Sequence, residues 1–208
     1  MKRFFFLLLP AWLLSRWALA QPIPLEAMAG QKYYWYQQVV AKSFSSESRL
    51  GFFHTSSLHV YYDREQTDEV MTQSYLTYRL GPGITAALGT FYATVPGFTP
   101  SFALQLLRRQ RHLTLLAVPR VDLWKGATYE IMALLEYAPP LGERVNLYTR
   151  LQVMSNHGPR GHNRSYQNVR AGLNLKTVAF GLALNVDEYG RETGPAANLG
   201  VFIRKELH

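Results

Sequence analysis

The sequence predicts an all-β protein, a transmembrane antiparallel up-and-down β-barrel of about ten strands. From about residue 50 onward, segments of roughly 8 to 13 residues alternate between apolar and polar side chains. Clusters of turn-forming residues separate these segments, and no helix-period segment of useful length interrupts them. Because successive side chains of a strand point to opposite faces, each segment presents one apolar face and one polar face.

The N-terminus has the pattern of a targeting segment. Lys2 and Arg3 precede the apolar run FFFLLLPAWLL, and Ala18-Leu19-Ala20 has the small-x-small form of a cleavage site. The apolar run is too short and too interrupted to cross a bilayer comfortably as a helix. The sequence therefore predicts a secretory signal peptide over residues 1–20.

Composition excludes several classes of protein. Loss of the signal segment lowers the formal charge from +8 to +5, with 19 Lys and Arg left against 14 Asp and Glu. This excess is spread thinly, so no nucleic-acid partner is implied, and an anionic membrane surface suits it at least as well. The absence of cysteine excludes a disulfide framework and a lipid-anchored lipoprotein.

Ten strands are predicted in the second part of the chain, near residues 50–62, 69–80, 84–94, 101–108, 112–123, 129–138, 145–155, 166–176, 179–187 and 197–206. Residues 50–208 are thus expected to form the barrel. Residues 21–49 are expected to be a periplasmic or plug segment, possibly with one extra strand. Since bacterial barrels have even strand numbers, twelve is the alternative to ten.

The clean alternation of Asn146–Met154 raises the question of which face meets lipid. Its apolar parity holds Leu147, Thr149, Leu151 and Val153, and its polar parity holds Asn146, Tyr148, Arg150 and Gln152. A soluble sandwich or barrel would turn the apolar parity inward, whereas a membrane barrel turns it outward. The pattern of connections favours the membrane barrel, because short connections alternate with longer ones at Asp63–Asp68, Asn156–Ser165 and Glu188–Ala196.

Aromatic residues also cluster where strands should cross the membrane interface. Beside the longer loops lie Tyr61, Tyr62, Tyr92, Trp124, Tyr129, Tyr166 and Tyr189. Such residues are expected to form a girdle at the level of the lipid headgroups. Together with the signal segment, the girdle places the apolar parity against lipid and the Arg150 parity in the lumen.

By this pattern, residues 50–208 resemble the small bacterial outer-membrane β-barrel proteins as a class. The resemblance implies an outer-membrane location, and it implies membrane lipids, lipopolysaccharide and the outer-membrane assembly machinery as partners. Such barrels commonly end in an aromatic residue, whereas this chain ends in Glu206-Leu207-His208. Oligomeric state is left open.

Lumen parity predicts a charge network in the second half of the barrel. Hairpin registers place Arg150 diagonal to Glu136 and about opposite Arg170, with Asn185 opposite Arg170 and Asp187 one diagonal away. Like charges that lie this close are unfavourable unless carboxylates share the site. Glu136, Arg150, Arg170 and Asp187 are therefore expected to form an alternating cluster that fills a narrow lumen more than it lines a channel.

Candidate catalytic and metal-binding residues are few. His54 and Ser56 are two residues apart and so lie on one face of a predicted strand. In this pair alone the chain resembles outer-membrane phospholipases and lipid A deacylases, in which such a histidine is the base and such a serine the nucleophile. His157 and His162 share a predicted glycine-rich loop with Arg160 and Arg164. Two histidines are too few ligands for a metal site. The arginines are suited to binding lipopolysaccharide phosphates. No cofactor or metal is predicted.

The favoured function is a non-enzymatic outer-membrane barrel, either structural or a narrow or closed pore with a charged lumen. One alternative is an outer-membrane lipid hydrolase that uses His54 and Ser56. The other is a soluble periplasmic β-barrel that binds an apolar ligand.

Overall fold

The computed structural model describes residues 23–95, 97–124, 126–190 and 194–207. These residues form one closed antiparallel barrel in which every strand pairs with its sequence neighbours and the first strand pairs with the last. The strands are β1 (Ile23–Gly30), β2 (Tyr33–Ser43), β3 (Leu50–Tyr61), β4 (Glu69–Gly81), β5 (Ile84–Ala93), β6 (Gly97–Gln110), β7 (Leu113–Asp122), β8 (Tyr129–Tyr137), β9 (Asn146–Gly158), β10 (Gly161–Leu175), β11 (Val178–Tyr189) and β12 (Ala196–Leu207). Within these ranges, no helix is long and apolar enough to cross a membrane.

The all-β barrel is confirmed, and the ten strands predicted after residue 50 correspond to β3–β12. The barrel has twelve strands, the alternative to the favoured ten, because residues 23–43 supply two more strands and are not a plug. β1 closes the barrel by pairing with β12 on one side and with β2 on the other. The predicted signal peptide, residues 1–20, lies outside the described residues.

The apolar parity points outward and the polar parity points into the barrel. On β9 the side chains of Tyr148, Arg150 and Gln152 are buried, whereas Leu151 is 42% exposed. Large apolar side chains stay exposed on the outer face around the wall, among them Leu88, Ile131, Leu182 and Val201. This apolar outer face contradicts the alternative of a soluble barrel that turns its apolar parity inward.

The two ends of the barrel differ. Ile23 and Leu207 pair with each other, so both ends of the described chain lie at one end, called here the terminal end. The opposite end, called the far end, carries the turns that follow the odd-numbered strands. The loop expected over Asn156–Ser165 is in fact a hairpin extended by both strands, with Pro159 and Arg160 between β9 and β10.

Side chains fill part of the barrel interior. Met28, Tyr33 and Trp35 on β1 and β2 pack with Tyr148 and Phe202, which reach in from β9 and β12. A smaller cluster on β4–β6 joins Tyr75, Ala87 and Ala103. The larger cluster, on β9–β12 and β1–β2, is the main core of this barrel.

Candidate functional site in the barrel interior

A single carboxylate organises the deepest charge cluster. Arg150 Nη2 and Arg170 Nε each donate a hydrogen bond to Oε1 of Glu26, both at 2.7 Å. Arg204 Nη1 lies 3.8 Å from the other carboxylate oxygen. Glu26, Arg150 and Arg170 are only 1%, 3% and 1% exposed. We call these four residues the Glu26 cluster.

Strand register builds this cluster. The β1–β12 ladder sets Glu26 opposite Arg204, and the β9–β10 ladder sets Arg150 opposite Arg170. Arg170 also donates through Nη1 to Oδ1 of Asn185 at 2.8 Å, and its guanidinium carbon lies 5.0 Å from the ring centroid of Trp35. The adjacent arginines are tolerable because they share one buried carboxylate.

The predicted network of Glu136, Arg150, Arg170 and Asp187 does not form as a unit. Glu136 lies opposite Arg150 in register, but among the described residues it accepts its side-chain hydrogen bond from the Tyr148 hydroxyl, at 3.1 Å. Asp187 binds a different arginine near the far end. The carboxylate that holds Arg150 and Arg170 is Glu26, on a strand that was not predicted.

A second charge cluster lies inside the barrel near the far end. Arg164 Nη1 donates to Oε2 of Glu69 at 3.1 Å, and its Nη2 donates to Oδ1 of Asp187 at 2.7 Å. Glu69 is on β4 and Arg164 on β10, six strands apart in either direction around the closed barrel. The ion pair of Glu69 with Arg164, called here the mouth contact, therefore spans the interior.

Aromatic side chains support the mouth contact. The Tyr189 hydroxyl lies 2.8 Å from Glu69, and its ring centroid is 4.6 Å from the Arg164 guanidinium carbon. His59 stacks on Tyr33 with ring centroids 4.9 Å apart. The Tyr33 hydroxyl donates to Asp187 at 3.2 Å, so β2 is tied to the same cluster.

A third cluster lies along the β7–β8 wall. Arg120 donates to both carboxylate oxygens of Glu130, at 3.1 and 2.8 Å, and also pairs with Asp122. Its guanidinium carbon lies 4.0 Å from the centroid of the Phe91 ring. The pair with Glu130 joins β7 to β8, and the pair with Asp122 lies within β7, so neither crosses the interior.

Four of the seven residues of the predicted aromatic girdle are exposed or point outward. Tyr62, Trp124 and Tyr129 are exposed, and Tyr92 points outward with its ring centroid 5.6 Å from that of Phe98. The other three were wrongly placed. Tyr61 and Tyr189 lie inside the mouth near Glu69, and the hydroxyl of Tyr166 accepts a hydrogen bond from Gln152 in the interior.

His54 and Ser56 both face outward, but among the described residues they make no hydrogen bond with each other. His54 Nδ1 is instead 2.8 Å from the Ser74 hydroxyl on the neighbouring strand. The contact between base and nucleophile that the lipid hydrolase alternative would need is therefore not made by these two side chains.

His157 and His162 face each other at the β9–β10 hairpin, with ring centroids 5.3 Å apart. The two nitrogens of His162 are engaged by the Gly190 carbonyl and the Ser165 hydroxyl. Of the two arginines expected to meet lipopolysaccharide, Arg164 points inward to the mouth contact, and Arg160 is exposed in the turn. No group of three or more metal-ligating side chains occurs within the described ranges.

Comparison with solved structures identifies the fold. The chain superposes on the KdgM porin with a TM-score of 0.52 and 12% identity, covering 90% of this chain and 100% of that one. It superposes on the NanC porin with a TM-score of 0.53 and 10% identity, covering 90% and 99%. No protein-family model and no curated protein sequence matches the chain.

The closed barrel and its apolar outer face both indicate a protein that lies in a membrane. A closed barrel satisfies its backbone hydrogen bonds internally, which is the requirement for a sheet in hydrocarbon surroundings. Its outward leucines, isoleucines and valines meet acyl chains without a desolvation cost. The protein is an outer-membrane β-barrel with a porin-like fold.

Proposed function

We propose that this protein is a narrow outer-membrane pore that rests closed, with the mouth contact as its gate. The observation that carries the proposal is the ion pair between Glu69 on β4 and Arg164 on β10, which crosses the interior from wall to opposite wall. A contact between neighbouring strands would only strengthen the wall. A contact across the barrel blocks the passage.

A path for water lies below the gate along one wall. The interior side chains of β8, which are Glu130, Met132, Leu134 and Glu136, are all partly exposed. Inward polar side chains of β4–β7 are partly exposed as well, among them Thr77, Thr85, Gln105 and Thr114. Since the opposite wall is packed with aromatic and aliphatic groups, the passage is narrow and suits small polar solutes.

The gate is weak enough to open. The side chains of Arg164 and Glu69 keep 23% and 28% of their surface exposed, so solvent screens their attraction. Ion pairs of this kind contribute about 0–1 kcal/mol. By contrast, the Glu26 cluster is almost wholly buried, and we assign it to the stability of the barrel.

Orientation follows from the position of the chain ends. The terminal end faces the periplasm and the far end faces the outside, as in barrels with short periplasmic turns. The exposed Arg160, at the far end, then lies where lipopolysaccharide phosphates are. In this proposal the predicted signal peptide directs export of the chain, and the outer-membrane assembly machinery inserts the barrel.

Conductance across planar lipid bilayers tests the gate. Wild-type protein should show a low conductance with rare openings, and Glu69→Gln should raise the open fraction several-fold because Arg164 loses its charged partner across the barrel. The matched control is Glu188→Gln, an exposed residue at the same end that points away from the interior. Large steady currents in wild type, or equally silent wild-type and Glu69→Gln proteins, would overturn the proposal.

A further inference from the structure

Six polar side chains interrupt the apolar outer face on four adjacent strands. The residues, called here the outer polar patch, are Gln38, His54, Ser56, Thr72, Ser74 and Thr90. Strand register makes them contiguous. Ser56 lies between Gln38 on β2 and Thr72 on β4, and Ser74 lies between His54 on β3 and Thr90 on β5.

The outer polar patch lies within the hydrocarbon zone and not at its edge. Toward the far end, the next outward residues on β3 and β4 are Leu58 and Val70, which are 36% and 42% exposed. Toward the terminal end they are Phe52 and Leu76, which are 39% and 55% exposed. Apolar residues therefore border the patch on both sides along the strands.

The hydrogen-bonding capacity of the outer polar patch is only partly used. His54 pairs with Ser74, and the Tyr36 hydroxyl donates to Oε1 of Gln38 at 3.0 Å. The hydroxyls of Ser56, Thr72 and Thr90 have no hydrogen-bond partner among the residues that the structure describes. Polar groups in hydrocarbon without partners are costly, and a histidine that faces lipid is unusual, so another molecule with donors and acceptors should cover this face.

We propose that the outer polar patch is the contact face of a homodimer. This inference rests on the outer-membrane location and not on the gating of the pore. Hydroxyl, amide and imidazole groups supply both donors and acceptors, so the patch is complementary to itself, as a two-fold interface requires. An axis along the membrane normal brings Gln38 of one copy toward Thr90 of the other, and β3 toward β4.

A lipid molecule is a poorer occupant. Acyl chains offer no donor or acceptor, and phosphate headgroups lie at the membrane interface, beyond the apolar residues that border the patch. A partner that carries a formal charge would bury it against a patch that has no carboxylate, lysine or arginine to pair with it. A second copy of this chain satisfies the free hydroxyls with groups of the same kind.

Oxidative crosslinking in intact outer membranes tests the dimer. The chain has no cysteine, so Ser56→Cys and Ser74→Cys each introduce a single thiol within the patch. Copper-phenanthroline oxidation should convert at least one of them to a species of twice the monomer mass. The matched control is Ala171→Cys, an outward and exposed position on β10, on the opposite wall, which should stay monomeric.

A second measurement covers loss of contact. The triple variant Ser56→Ala, Thr72→Val, Thr90→Val removes the free hydroxyls and leaves the side chains close to their original size. In this variant with Ser74→Cys added, the crosslinked fraction should fall several-fold, while the heat-dependent gel shift of a folded barrel is retained. The proposal is overturned if neither patch cysteine crosslinks, if they crosslink to a protein of another mass, or if Ser74→Cys crosslinks as well with the three added substitutions as without them.

Discussion

β8 and β11 belong to the same closed barrel, yet their inward faces meet different surroundings. β11 presents Ala179, Ala183, Asn185 and Asp187, all buried. β8 presents four larger side chains, all partly exposed. The small residues of β11 leave room for bulky groups such as Trp35 and Phe202, which fill that side of the barrel. One side of the interior is thus a protein core, and the other keeps side chains with solvent-accessible surface.

The difference decides what a charge does on each side. In the packed side, the Glu26 carboxylate is removed from water and must hold its arginines, because a buried charge without a partner is strongly destabilising. On the β8 side, solvent reaches Glu136, and its loss leaves no stranded charge. The same kind of substitution is therefore expected to lower the free energy of unfolding by different amounts on the two sides.

The largest effect is expected for Glu26→Gln. This substitution keeps the shape of the side chain but leaves Arg150 and Arg170 without their shared anion, and it should lower the free energy of unfolding by about 3–5 kcal/mol. Urea titration of the barrel in phospholipid vesicles measures this. Glu136→Gln is the control and should cost only about 1 kcal/mol, the contribution of one hydrogen bond. Equal losses would contradict the division of the interior.

The next effect compares the two faces of β8. Leu135 is 43% exposed on the outer face, and Leu134, its neighbour, points inward where its side chain is partly exposed. Leu135→Arg puts a charge into lipid and should destabilise the barrel by about 2–4 kcal/mol. Leu134→Arg extends toward water and should be much milder. If both variants unfold at the same urea concentration, β8 does not line a wet passage.

The smallest of the three effects concerns strand packing at the β10–β11 pair. A Cβ on Gly172 would lie 2.0 Å from the Phe180 carbonyl oxygen, so only glycine allows this close approach of two backbones. Gly172→Ala should cost about 1–3 kcal/mol of stability, the usual range for overpacking. Gly142 lies in a connection where an added Cβ would meet nothing within 4 Å, so Gly142→Ala provides a control without effect. A neutral Gly172→Ala would show that the strands separate easily.

The same comparison explains which strands the sequence could reveal. β8–β12 carry polar residues inward and apolar residues outward, so their alternation is visible. β1 and β2 lie in the packed side, where inward Met28, Tyr33 and Trp35 are as apolar as the outward residues. Their two faces look alike, and period-2 alternation carries no signal there.

The error in the charge network follows from leaving β1 out of the favoured ten strands. The predicted pairing of Arg150 with Arg170 is correct, because the β9–β10 ladder has no register shift at these residues. Asn185 was misplaced because the β10–β11 turn is at residues 176–177, one residue earlier than expected, so Arg170 pairs with Ala183. Without β1, Glu26 had no place in the predicted barrel, and the arginines were assigned to Glu136 and Asp187 instead. Contacts across the interior, such as that of Glu69 with Arg164, join strands that are not neighbours, so hairpin register cannot predict them.

Thiol labelling tests the central claim most directly, since the chain has no cysteine of its own. Leu134→Cys and Ala183→Cys place single thiols on the wet and packed sides. A membrane-impermeant thiol reagent added to opened cells, where it reaches the periplasmic end, should label Leu134→Cys and leave Ala183→Cys unreacted. In intact cells Leu134→Cys should be protected, and adding Glu69→Gln should remove that protection. Equal labelling of the two thiols, or rapid labelling of Leu134→Cys in intact cells with Glu69 in place, would contradict a half-filled barrel closed at its mouth.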